Sequence, residues 1–151
     1  MSDRLLQAWR QQKVMTWAGY ILGFPTDTPE SVARDIEIIK KELPIDVLEF
    51  FFLTPLPGSE DHQTLVKNGV EVDPDLNKYD LNHVCTAHPR MSQEAWEATY
   101  RMAWDTYYTK EHVETVLRRL FWEEKLLRFD IQTPRFACTC SRERVAKMIH
   151  G

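Results

Sequence analysis

Cysteine and glycine are both scarce in this 151-residue sequence, at three and five. Three cysteines, Cys85, Cys138 and Cys140, make no even set of bridges, which excludes a small scaffold stapled by disulfides. Reduced thiols and a cytoplasmic setting are the default for such a chain. No apolar run reaches the roughly 20 residues that span a bilayer. A basic excess is missing too: 19 Lys and Arg stand against 23 Asp and Glu, for a net charge of −4. With a pI near 5.7, the chain lacks the footprint of a general nucleic-acid binder. A cleavable leader is not expected. Arg4, Arg10 and Lys13 precede an apolar stretch, but Asp3 is acidic, and Pro25 follows where a small-x-small cleavage site would stand. Internal repeats and low-complexity segments are absent.

What is present suits a packed core, with 43% hydrophobic and 11% aromatic residues. The charge is uneven. Residues 118–151 hold eight basic and four acidic residues, so the rest of the chain carries −8. The basic tail reads as a solvated surface rather than as an RNA- or membrane-binding arm.

The chain is organised around Val14–Pro25, an apolar run that ends at a proline. Such a run predicts a strand buried on both faces. Gly19 and Gly23 inside it mark a close approach of backbone or ligand. Before it, Ser2 or Asp3 caps a short helix with Leu5, Leu6 and Trp9 on one side. After it, Thr28, Pro29 and Glu30 start a helix that Pro44 stops. Val32, Ile36, Ile39 and Leu43 form its single stripe. Asp46–Leu53 is a second strand, apolar apart from Glu49. Strand, helix, strand predicts a parallel pair with a right-handed crossover. Ligands of parallel α/β sheets sit at the carboxyl ends of strands. The loops Gly23–Pro25 and Thr54–Ser59 should therefore be neighbours.

Further along, Ser59 opens a short helix that ends at Asn68 and Gly69. Ser92 caps a helix over 93–108, with Trp96, Tyr100 and Tyr107 on a stripe best read as core. Thr109 begins another, with Val113, Val116, Leu117, Leu120 and Leu127 on its stripe. Residues 129–151 read as a loosely ordered tail. The organisation expected is residues 1–69 as βα units, 70–128 as a loop and helical extension, and then the tail. Two strands that are apolar on both faces do not make a sheet alone, so the fold expected is α/β and incomplete as an isolated chain.

Gly19-Tyr20-Ile21-Leu22-Gly23-Phe24-Pro25 with Thr28–Ser31 resembles the fifth strand and helix of the radical S-adenosylmethionine barrel, whose pattern there is G-x-I-x-G-x-x-E. Phe50–Ser59 resembles its sixth strand and proline-rich loop. Tyr79–His83 and Pro89–Ser92 bring the resemblance nearest to the cobalamin-binding branch. It implies the carboxyl-terminal βα units of a partial (β/α)6 TIM-like barrel followed by α-helices. It also implies S-adenosylmethionine and a [4Fe–4S] cluster in the parent family, with cobalamin as a further group. The matching positions place Gly19, Ile21, Gly23, Phe24 and Pro25 at the adenine pocket, and Leu53, Thr54, Pro55, Leu56 and Pro57 in the loop over it. Two departures are plain. Thr26 stands where the motif ends in Glu, and the C-x3-C-x2-C cluster motif is absent. The function expected is a fragment supplying the adenine-side wall. It should be inactive alone, with no catalytic or metal residue of its own and no cofactor bound firmly. The alternative is a non-catalytic module that docks on a partner completing its sheet. Partners expected are the missing amino-terminal barrel half or a second copy, with neither nucleic acid nor membrane.

Three other groupings carry reactive side chains. His83, Cys85 and His88 offer imidazole and thiolate for zinc, but the spacing fits no compact finger and a fourth ligand is missing, which leaves them as loop residues. Asp80 and His83 can pair as acid and orienter, or belong to a hydrogen-bonded loop with Tyr79 and Asn82. Cys138 and Cys140 are one residue apart, open to reading as a labile thiol pair or as plain tail.

Overall fold

A computed structural model describes residues 2–127 together with 129 and 133. In chain order it has α1 (Ser2–Gln11), β1 (Trp17–Leu22), α2 (Pro29–Glu42), β2 (Val47–Phe52), α3 (Glu60–Lys67), a 3-10 turn (Leu76–Lys78), α4 (Gln93–Tyr107) and α5 (Lys110–Leu120). The helix starts are local chemistry. Thr28 and Ser31 form a reciprocal capping box with Pro29 in the first turn of α2, which satisfies two otherwise free amides. Ser59, Ser92 and Thr109 each accept a hydrogen bond from a backbone amide in the first turn of α3, α4 and α5.

β1 and β2 are parallel, in register from Trp17 opposite Val47 to Leu22 opposite Phe52. The pairing matches the expectation from the strand–helix–strand order. The barrel does not. Among the described residues the sheet has two strands, accompanied by five helices. Val72 and Thr86 add one isolated antiparallel bridge. The partial (β/α)6 barrel is therefore corrected to a two-stranded parallel sheet among helices.

The physical reason lies in the alternation of the strands. Ala18, Tyr20 and Leu22, with Leu48, Phe50 and Phe52, turn to one face, where α2 and α4 cover them. Trp17, Gly19 and Ile21 turn to the other. Trp17 is 74% exposed and Ile21 46%. An unbroken apolar run is taken for a strand buried twice, but in this strand one half of the run meets solvent.

The covered face is an aromatic core. Phe50 meets Tyr20, Trp104 and Tyr107 edge to face, at centroid distances of 6.1, 5.2 and 6.1 Å. Phe52 stacks on Tyr100 at 4.4 Å and takes the edge of Trp96 at 5.6 Å. Each such pair adds about 0.5–1.5 kcal/mol beyond its buried area. Val32 and Ile36 of α2 complete the cluster, so its stripe faces the core as its spacing requires. The end of α4 is pinned by polar bonds. Tyr107 Oη donates to the Ile45 carbonyl at 2.8 Å, and Lys40 Nζ donates to the Thr106 carbonyl at 2.8 Å. Tyr108 Oη donates to the Leu48 carbonyl and accepts from the Leu48 amide, at 2.9 and 3.0 Å. No helix among the described residues is long and apolar enough to cross a membrane.

Candidate functional site

The carboxyl edge of the sheet brings the two expected loops together, since the Leu53 amide donates to the Leu22 carbonyl at 2.9 Å. The residues there differ in access. Gly19 and Ile21 lie on the open sheet face, and Gly23 is buried. Phe24, Pro25, Leu56 and Pro57 are exposed, Leu53 and Thr54 half-buried, and Pro55 buried. Gly23 has φ +105°, and a Cβ added to it would lie 2.0 Å from Cζ2 of Trp96. Glycine is required twice over, by the positive φ and by the indole packed on its backbone. The Asp27 carboxylate accepts from the Gly23 and Phe24 amides at 2.8 and 2.9 Å and fixes the turn. His88 Nε2 lies 2.9 Å from the Phe24 carbonyl, and its ring sits 5.0 Å from Trp96. Arg90 donates to the Thr26 carbonyl at 2.7 Å. Thus the edge that the family resemblance assigned to a nucleoside is occupied by this chain's own Trp96 and His88. Sequence reasoning took Trp96 as plain core and missed that it caps Gly23. The buried Gly23 at a strand end was the available signal.

A cavity of about 390 Å³ lies beside this edge, between residues 71–74, residues 84–88 and the start of α4. Cys85 is buried in its wall, with Sγ donating to the Lys78 carbonyl at 3.1 Å. Burial pushes its thiol pKa up, and the Asp73 and Asp80 carboxylates push it further. A thiol held in its neutral form is a poor nucleophile. Nearby, His83 Nδ1 and Asp80 Oδ1 are 2.8 Å apart on the surface. The hydrogen bond with His83 draws the Asp80 carboxyl below its usual range. Tyr100 Oη donates to Asn82 at 2.9 Å, so the loop around Asp80 is a mutually bonded turn. His83, Cys85 and His88 thus each have a different partner. Among the described residues no group of three His, Cys, Asp or Glu side chains is placed to hold a metal.

Several large apolar side chains are exposed. Besides Trp17 and Ile21 they include Phe24, Leu56, Leu117, Phe121 and Trp122.

Comparison with known proteins supplies the class. A family profile described as Hsp33 protein matches residues 51–151. The chain belongs to the Hsp33 family. Two curated relatives, each named 33 kDa chaperonin, come from Pseudomonas fluorescens strains Pf0-1 and Pf-5. Each is 61% identical over 31 residues, which is 20% of this chain and 10% of the relative. The matched stretch thus spans about a tenth of the relatives' length.

This finding overturns the radical S-adenosylmethionine resemblance, and with it the reading as an adenine-side fragment of such an enzyme or as a non-catalytic module docking on a partner that completes its sheet. The motifs that carried the resemblance were a glycine-punctuated strand and a proline-rich loop. Both are features that any parallel strand pair can present at its carboxyl edge. Cys138 and Cys140 lie within the matched range but outside the described residues.

Proposed function

We propose that this chain acts as part of a redox-regulated chaperone that holds unfolded polypeptides in the cytoplasm. The observation that carries the reading is the Hsp33 family match over residues 51–151. The exposed apolar side chains support it, because a holding chaperone needs apolar surface to offer an unfolded client. The Cys138-x-Cys140 pair supplies the redox chemistry. Two thiols and hydrogen peroxide give one disulfide and two waters, so oxidation needs no other reactant. Cys85 is excluded from that role by its burial and its raised pKa. Neither nucleic acid nor membrane is a partner in this reading, and self-association through apolar surface is. The chain by itself assembles no [4Fe–4S] cluster, since two sulfurs one residue apart cannot place a third ligand.

The test is light scattering of a chemically denatured client diluted into buffer, with the chain either reduced or treated with peroxide. Suppression of aggregation is expected after oxidation, and its loss in Cys138→Ser/Cys140→Ser. Equal suppression in both states would remove the redox element. No suppression in either would remove the chaperone reading.

A further inference from the structure

Helix α5 is attached to the rest of the molecule in an unusual way. It is 11 residues long, and none of them is buried. Of its apolar side chains, Val113, Leu117 and Leu120 are 40%, 40% and 50% exposed and Val116 is half-buried, and none packs with the core cluster. Apolar burial, the ordinary force that holds a surface helix, is therefore weak here. The polar contacts are specific. Asp46, at the foot of β2, is buried, with its side chain 3% exposed. Its Oδ2 accepts from the Thr16 amide at 3.0 Å and from the Thr16 hydroxyl at 3.1 Å. Arg119 reaches in from the far end of α5. Its Nε lies 2.6 Å from Asp46 Oδ1. One Nη lies 3.3 Å from Oδ2 and donates to the Val14 carbonyl at 3.2 Å. Seven residues earlier, near the helix start, His112 Nε2 meets the Asp46 carbonyl at 3.0 Å. The His112 ring also meets Tyr107 and Tyr108 edge to face at 4.6 and 5.6 Å, which secures the helix start beside Thr109. Positions seven apart share a helix face two turns along, so Asp46 pins both ends of α5, and Arg119 alone holds the far one.

We propose that the Arg119–Asp46 ion pair is a latch. It holds α5 against the base of the sheet, and α5 swings about Thr109 as one unit when the pair is broken, while the sheet, α2 and α4 stay folded. Two observations give this its asymmetry. The Asp46 carboxylate has two Thr16 bonds that do not involve Arg119, which anchor the strand start independently of the helix. The end of α4 is pinned independently by Tyr107, Tyr108 and Lys40. The latch also joins three stretches far apart in sequence, residues 14–16, residue 46 and residue 119, so it reports whether α5 is seated. It stands whether or not the chain holds clients.

The experiment is amide hydrogen exchange on the full chain, comparing peptides from α5 with peptides from α4. Arg119→Met, and the double variant Asp46→Asn/Arg119→Met that leaves no buried charge behind, should each speed exchange in α5 at least tenfold. Exchange in α4 should stay within twofold in the double variant. Arg119→Lys should restore part of the protection, and Leu117→Asn should leave it unchanged. The proposal is overturned by unchanged α5 exchange in the double variant. It is also overturned by equal loosening in Leu117→Asn, or by a double variant that fails to fold.

Discussion

Gly23 shows how one residue can fix a corner of the molecule. Its φ of +105° and the indole 2.0 Å from where a Cβ would sit leave no room for alanine. Gly23→Ala should destabilise the chain by roughly 2–4 kcal/mol, combining left-handed backbone strain with overpacking. Urea unfolding monitored by Trp fluorescence measures it, and a change below half a kilocalorie would mean that Trp96 moves aside freely. Cys85 makes a second residue-scale case. Its thiol pKa is raised by burial and by neighbouring carboxylates, so the fold favours the protonated form. That contribution is fully present below the ordinary thiol pKa of about 8.5. It is lost as pH rises through the higher folded-state value. Timed iodoacetamide labelling of the folded chain at pH 8, read by peptide mass spectrometry, should find Cys85 the slowest of the three thiols. Fast labelling there would contradict its burial.

Elements were legible where local chemistry decides them. Thr28 with Pro29, Ser59, Ser92 and Thr109 announced four helix starts, and each caps its helix. Thr28→Ala should cost about 1 kcal/mol through loss of the capping box, and the shift of the thermal midpoint checks it. The strand pair and its direction were legible too, because a helix between two apolar runs permits little else. What could not be read was which strand face is covered. Trp17 and Ile21 are apolar like Leu22, and only the packing of α4, far along the chain, decides between them. The Asp46–Arg119 pair was hidden for the same reason, being a contact between residues 73 positions apart. At the candidate site, the two loops were placed together correctly, but Trp96 closing over Gly23 is a tertiary event that spacing does not encode. The loop around residues 73–83 carries a pH dependence. Asp73 is drawn below the usual carboxylate range by the hydrogen bond from Lys78, and Asp80 by the one with His83. Folded pKa values that are lowered stabilise above the unfolded carboxylate range, and the gain is lost as pH falls through the folded values. Amide exchange in this loop should therefore rise, relative to α4, on acidification below pH 4. A loop as protected at pH 3 as at pH 6 would refute it.

For the molecule as a whole, the open sheet face is the main liability. Trp17 and Ile21 sit on a pair of strands that no third strand joins among the described residues; Tyr108 and Leu81 close part of the β2 edge, and the open edge of β1 can template association. Trp17→Lys/Ile21→Lys should shift a self-associating sample toward monomer in size-exclusion chromatography at tens of micromolar. An unchanged elution profile would place the association elsewhere. The same arrangement has a bearing on how the chain is made. Every pairing in the sheet joins residues 30 apart, so the strands can meet once residue 52 has left the ribosome. Their cover, α4, ends some 55 residues later. At 5–20 residues per second that interval lasts roughly 3–11 s. Throughout it the nascent sheet has one face open and the other covered by α2 alone, which exposes the newborn chain to capture by other proteins well before its own aromatic helix arrives.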